Sequence, residues 1–309
     1  MKVFAVDLGG TFIKVGVVDE NGSILWKRSV KTPPPGNPEK VVTALNELLQ
    51  ESQREFQVSY IGIGCPGSID RDRGLVRYSP NLDWHDFPLA ESLSRETGLE
   101  VYVENDANAF VLGEKWFGAG KAKEHIVALT FGTGVGGGVI SHNVLITGHL
   151  GIGAELGHII VEPNGPRCGC GSYGCLEAIA SARSVARLAA EMVERYPDSF
   201  LAKKNEIAAE DVFEAFRKGD TLAKIVLERV SHAVARAVGA YVQFFNPQLI
   251  VFGGGLARSS DVLIPLVKEK VPLYVMPSFI GTFEIVQSQL LEDAGIKGAA
   301  SIVFQRKLI

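Results

Sequence analysis

The chain has 309 residues, 46% of them hydrophobic and 34 of them glycine, with a formal net charge of −4. That length buries a sizeable core and suggests about two domains, while the acidic balance and the lack of any run of five Lys or Arg argue against nucleic acid and anionic membrane surfaces as partners. After Met1-Lys2 only Val3 to Val6 are apolar before Asp7, and no stretch of about 18 apolar residues occurs, so neither a signal-peptide core nor a membrane span is expected and the cytoplasm is the expected compartment.

In chain order, Val3 to Val6, then "DLGG", then "TFIKVGVVD" reads as strand, glycine turn and second strand. The prolines of "TPPPG" mark a loop, and Asn37-Pro38-Glu39 opens a helix with Pro at its first position, continuing through "KVVTALNELLQES". "VYVENDANAF" ends an apolar strand on Glu104-Asn105-Asp106, a position where a carboxylate can meet a substrate hydroxyl, although such a cluster taken alone is more often a turn. Ile126 to Leu129, "TFGTGVGGG" and Val139-Ile140 then repeat the opening pattern. Ala128 falls against Ala5, Thr130 against Asp7 and Gly132 against Gly9, at a constant offset of 123 positions. The repeat implies two related α/β units, each opening with a hairpin. Further on, a long helix is predicted from about Thr221 to Phe245, stopping at Asn246-Pro247. Leu249 to Phe252 then form a strand running into Gly253-Gly254-Gly255, and another helix starts near Ser260.

The glycine turns allow backbone N–H groups to approach a phosphate without side chains in the way, with Asp7 able to organise Mg²⁺ through water and Thr11 adding a hydroxyl; a plain tight hairpin is the alternative. The pattern G-x-G-x-x-G fits at three unrelated places, none followed by a clear helix, and no G-x-x-x-x-G-K-[ST] run exists, so dinucleotide-binding and Walker-type folds are set aside.

"GAELGH" places Glu155 and His158 three residues apart, on one face if the stretch is helical, and Glu177 follows Cys175 by two. Carboxylates and an amide near a histidine suit a polyhydroxylated ligand, whose hydroxyls need partners when buried. Three of the four cysteines, Cys168, Cys170 and Cys175, lie within eight residues. In a reducing compartment they read as ligands of a tetrahedral Zn²⁺, with His158 the nearest upstream fourth ligand. The C-x-C-x₄-C spacing departs from the commoner two-residue spacing and keeps a redox or purely structural cluster as the alternative. Cys65, between Gly64 and Pro66, reads as a small buried hydrophobe, and the other histidines as surface or core residues.

"DLGGT", "END", "ELGH", "CGCGSYGCLE" and "VFGGG", in this order, resemble the ROK family of bacterial sugar kinases and sugar-responsive repressors over nearly the whole chain. The resemblance implies an α/β fold of two actin-like domains, RNase H-like as in the hexokinase and Hsp70 superfamily, flanking a central cleft. Residues 1–110, completed by a C-terminal helix of about 295–309, would form the first domain. Residues 111–294 would form the second, with a zinc-binding insertion at 158–177. By that likeness Asp106 is the catalytic base, and Gly67 in "CPGSID", Asn81 in "SPNLDW", Asn105, Glu155, His158 and Glu177 surround the sugar. Asp7, Gly9, Gly10, Thr11, Lys14, Gly132, Thr133, Gly134, Gly254 and Gly255 would serve ATP. ATP and Mg²⁺ are implied for the reaction, with Zn²⁺ in a structural role and a homo-oligomer, dimer or tetramer, as the assembly. The implied activity is phosphorylation of a hexose at its 6-hydroxyl, glucose first, with fructose, mannose or an N-acetylhexosamine as alternatives. A sugar-binding repressor is the reading from another class, disfavoured because Met1-Lys2 leads straight into the first strand. An actin-like ATPase acting on a protein leaves the "END", "ELGH" and cysteine motifs unexplained.

Overall fold

The computed structural model describes residues 1–308. The strands β1 (Lys2–Leu8), β2 (Phe12–Asp19) and β3 (Ile24–Lys31) lead into α1 (Pro38–Gln53) and β4 (Tyr60–Cys65). A small antiparallel sheet follows, made of β5 (Ser68–Asp70), β6 (Leu75–Ser79) and β7 (Trp84–Phe87), then α2 (Leu89–Thr97), β8 (Glu100–Asn105) and α3 (Asp106–Phe117). The second half runs through β9 (Ile126–Phe131), β10 (Val135–Ser141), β11 (Val144–Leu145), α4 (Glu177–Ala180), α5 (Ala182–Met192), α6 (Ala209–Arg217) and α7 (Thr221–Phe245). It closes with β12 (Leu249–Gly253), α8 (Ser260–Lys270), β13 (Glu284–Gln287) and α9 (Ala294–Lys307). The expected C-terminal helix is thus α9, and Ile309 lies outside the described residues.

The two large sheets share one plan. Their strand orders are β3-β2-β1-β4-β8 and β11-β10-β9-β12-β13, each with an antiparallel trio followed by two parallel strands. The offset read from the sequence carries β1 onto β9 and the start of β2 onto that of β10. The second turn is one residue tighter, since β1 pairs Leu8 with Ile13 whereas β9 pairs Phe131 with Val135.

Local chemistry explains the element ends. In α1 the buried Val41, Val42, Leu45, Leu48 and Leu49 recur at helical spacing, and Pro38 starts the helix because its missing N–H would have had no partner there. Asp220 caps α7 by accepting the Ala223 N–H at 2.9 Å, and Asn246 ends it in the left-handed region at φ 43°, where an asparagine is tolerated and the following proline cannot continue the helix.

The first sheet buries one face beneath α1 and α2, and the second buries one beneath α5, α6, α7 and α8. Between the sheets lie two helices, α9 on β1, β2 and β4, and α3 on β9 and β10, packed directly against each other. Their crossing is close because Gly298 has no side chain: a Cβ there would lie 2.6 Å from the Ala109 carbonyl oxygen. Gly298→Ala is therefore expected to lower the unfolding free energy by about 1–3 kcal/mol through overpacking, read as a lower denaturant midpoint at unchanged slope.

Candidate active site

A cavity of about 440 Å³ opens between the two halves, and every residue expected around a sugar lines it: Gly67, Asn81, Asn105, Asp106, Glu155, His158 and Glu177. A second cavity of about 460 Å³ is lined by Asp7, Lys14, Lys27, Gly254, Gly255, Arg258, Ser288 and Glu292, among others. Gly254 lines both. The residues expected at ATP therefore divide. Asp7, Lys14, Gly254 and Gly255 face the second cavity; Gly132, Thr133 and Gly134 face the first; Gly9, Gly10 and Thr11 line neither.

The corner between β8 and α3 sets the first cavity. The Asn105 Oδ1 accepts the N–H groups of Ala107 at 2.9 Å and Asn108 at 3.2 Å, an N-cap that starts the helix, while its Nδ2 donates to the Gly67 carbonyl at 3.0 Å. Asp106 is thereby the first residue of a helix rather than part of a turn. One carboxylate oxygen, Oδ1, accepts the Ala107 N–H at 2.9 Å, which leaves the other for a ligand. Its solvent-accessible surface faces the cavity, and the protein packed around it pushes the carboxyl above its ordinary value, with the Ala107 N–H and the Asn105 amide opposing. Burial also raises Asp7, opposed by Lys14 and reinforced by Asp106. Glu155 is raised by burial too, with His158 opposing and Asp106 and Glu177 adding to the effect. Acidic groups with raised pKa thus stand in both cavities, Asp106 and Glu155 in the first and Asp7 in the second, and mark them as places where charge is handled.

The stretch "ELGH" is a single 3₁₀ turn, Leu156–His158, with Glu155 at its cap, so Glu155 and His158 reach the same cavity without a full α-helical turn between them. The buried Tyr241 of α7 holds this turn by donating its O–H to the Leu156 carbonyl. Glu177 begins α4, and its Oε2 accepts the Val135 N–H at 3.0 Å. A Cβ on Gly134 would lie 2.4 Å from that oxygen, so the glycine in "GTG" serves the approach of a protein carboxylate as well as of any ligand.

His158, Cys168, Cys170 and Cys175 place their ligand atoms within 4.8 Å of one another. The Cys170 and Cys175 sulfurs are 3.7 Å apart and the Cys168 sulfur is 3.6 Å from His158 Nδ1. A tetrahedral zinc with metal–sulfur bonds of about 2.3 Å and metal–nitrogen bonds of about 2.0 Å has edges of about 3.8 and 3.5 Å, so this donor set fits that ion, and a disulfide at about 2.05 Å does not describe the sulfur pair. Burial lifts the Cys168 thiol to about 12 and raises Cys175, whereas the Ser172 N–H lowers Cys170. Holding three thiolates together there requires a cation. Cys65 is fully buried, as expected.

Sequence reasoning did not single out the support beneath the corner. Glu104 is only 1% exposed; its Oε1 accepts the Asn105 N–H at 2.9 Å and the Asn108 amide at 3.1 Å, and its Oε2 is 3.1 Å from Arg71 Nε. Glu104 stood in the quoted motif, but Arg71 carried no local signal.

The ROK family profile matches residues 3–306. A glucokinase of Thermotoga maritima is 50% identical over 311 residues, spanning 99% of this chain and 98% of that protein. The crystal structure of a ROK family glucokinase from Streptomyces griseus in complex with glucose and AMPPNP has a TM-score of 0.84 at 34% identity, covering 98% of this chain and 99% of that one. A ROK family transcriptional regulator, a homologue of the Escherichia coli MLC protein, has a TM-score of 0.91 at 27% identity and covers 98% of this chain, which spans 78% of the regulator.

Proposed function

The chain belongs to the ROK family, and from that premise we propose that it transfers the γ-phosphoryl group of ATP to the 6-hydroxyl of glucose. The observation that carries this reading is one cavity that gathers a carboxyl of raised pKa at a helix N-terminus, Asp106, with Asn105, Glu155, His158 and Glu177 around it. Phosphoryl transfer asks the protein mainly for positioning and charge stabilisation. In this reading the free oxygen of Asp106 accepts the proton of the attacking hydroxyl, while the bond from Ala107 fixes the carboxylate's direction. Asn105 has one amide N–H left for a sugar hydroxyl after its cap and its bond to Gly67. Glu155, His158 and Glu177 serve the remaining hydroxyls. The second cavity takes the nucleotide, with Lys14 against its phosphates. Mg²⁺ neutralises phosphate charge when bound, and Asp7 would hold it through water. In this reading the two units are residues 1–110, completed by the C-terminal helix from about residue 295, and residues 111–294, with their boundary inside α3 as the shared element, and their closure excludes water as a competing acceptor. Sugar-dependent ADP release, measured over glucose, fructose, mannose, N-acetylmannosamine and N-acetylglucosamine, tests the whole. The expected outcome is the largest kcat/KM for glucose; a preference of about tenfold for another hexose would overturn the substrate, no release with any sugar would overturn the kinase in favour of a sugar sensor, and release indifferent to sugar would overturn it in favour of an ATPase acting on another partner.

Asp106→Asn keeps the shape and loses the base, so kcat should fall by about a thousandfold or more while sugar affinity stays within about tenfold. Because the protein packed around Asp106 raises its folded-state pKa and the base acts only when deprotonated, activity of the native chain is lost as pH falls through that raised value. The acid limb of kcat/KM should therefore lie above the ordinary carboxylate value of about 3.9. Near-native turnover of the Asn variant removes Asp106 from this role.

The cysteine cluster is proposed as a closed zinc site. Three thiolates and one imidazole fill a tetrahedron, so no position is left for a reactive water. With Nδ1 on the metal side, His158 keeps Nε2 for the sugar, its orientation fixed by the cluster. Glu177, whose Oε1 lies 3.5 Å from the Cys168 sulfur, is tied to the same loop. Cys170→Ser should lower the zinc content and raise the glucose KM by about tenfold or more with the ATP KM changed less. Metal analysis with paired titrations decides it, and a zinc-depleted variant with native glucose KM refutes the coupling.

A further inference from the structure

Glu114 lies on α3, two turns beyond Asp106, and is fully buried. Among the described residues it has no cationic partner within ion-pair reach. A carboxyl taken out of water without a counter-charge is costly unless donors surround it. Two do so: the Ala119 N–H reaches Oε2 at 2.9 Å, and the Ser288 hydroxyl donates to Oε1 across 174 positions of sequence. Ser288 is itself buried, and its Oγ accepts the N–H groups of Leu290 at 3.2 Å and Leu291 at 3.3 Å. Leu291 stands in the left-handed region at φ 46°, a strained conformation for a leucine that needs outside support. Ser288, Leu291 and Glu292 line the second cavity.

We infer that Glu114 is a positioning residue for the phosphoryl donor: through Ser288 it holds the segment 288–292 in the shape that walls the second cavity. One rigid helix then sets both sides of the reaction, with Asp106 at its start in the first cavity and Glu114 near its end beneath the wall of the second. The Ser288 N–H also donates to the Phe252 carbonyl at 2.8 Å, which fixes the start of the segment, whereas the ties at its far end, Arg258 to Glu292 and Lys27 to Asp293 just beyond it, are exposed ion pairs and contribute little by themselves. The inference rests on reading the second cavity as the nucleotide side.

The test compares Glu114→Gln, Ser288→Ala and the double variant in the full chain, by hydrogen exchange and by steady-state kinetics. An amide at position 114 accepts from only one of the two donors, so the Leu290 and Leu291 amides should exchange about tenfold faster in either single variant. The ATP KM should rise about tenfold while the glucose KM stays within about twofold. If Glu114 acts through Ser288, the double variant is no worse than the poorer single one. Unchanged exchange at Leu290 and Leu291, an equal rise in both KM values, or additive effects would overturn the inference. If the native chain fails to turn over ATP, the nucleotide reading falls and Glu114's role in donor binding falls with it, whereas exchange still decides whether it anchors the segment.

Discussion

At Asn105 a strand of the first sheet becomes the helix that lies on the second, and three hydrogen bonds to one amide side chain make that turn possible. An N-cap of this kind contributes about 1 kcal/mol, yet its geometric consequence is larger than its energy. It fixes the axis of α3, and with it the direction of the Asp106 carboxylate and the line along which the second sheet packs. The bond to the Gly67 carbonyl makes the small sheet that starts at Ser68 part of the same corner. Beneath it the Glu104 carboxylate accepts from both Asn105 and Asn108, so the corner is fastened on its buried side as well.

The duplicated plan of the sheets explains why there are two cavities. In each copy the β-hairpin turn and the parallel strands end at the same edge, where backbone polar groups emerge beyond the last ladder bond. Two such edges facing each other across α3 and α9 create a cleft with polar walls on both sides. The actin-like fold thus supplies the cleft, and the side chains that differ between the copies decide its chemistry: Asp7 in one where Thr130 stands in the other, and the cysteine loop only in the second.

What could be read from the sequence was what is local. The spacing of apolar residues and the Asn246-Pro247 stop gave α7 its ends at Thr221 and Phe245, because capping and proline sterics act within a turn of the chain. The cysteine cluster was legible for the same reason: its thiols are close in sequence and their chemistry is distinctive. The α3 helix was not, since Glu104-Asn105-Asp106 carries the same polar signature whether it makes a turn or an N-cap, and the apolar run that decides between them faces two packing partners rather than one. Gly9, Gly10 and Thr11 were expected at a phosphate from their turn and from the family resemblance, and they line neither cavity. The contacts of Gly298 with Ala109 and of Ser288 with Glu114 join residues more than 170 positions apart, where no periodicity reaches.

Glu177 shows how an insertion becomes part of a site instead of an ornament on it. Its carboxylate touches the Val135 N–H at the glycine turn of the second hairpin, approaches the Cys168 sulfur in the cysteine loop, and lines the first cavity. The chain can bring these together only because Gly134 has no side chain and because α4 begins two residues after the last cysteine. The loop is pinned at its base, where Ile160 bridges Cys175, and the Leu176 N–H returns to the Ile159 carbonyl at 2.9 Å. Any displacement of the thiols therefore moves Glu177 and His158 together. The loop and the glycine turn form one mechanical unit, and the shape of the first cavity on that side depends on what holds the four ligand atoms in place.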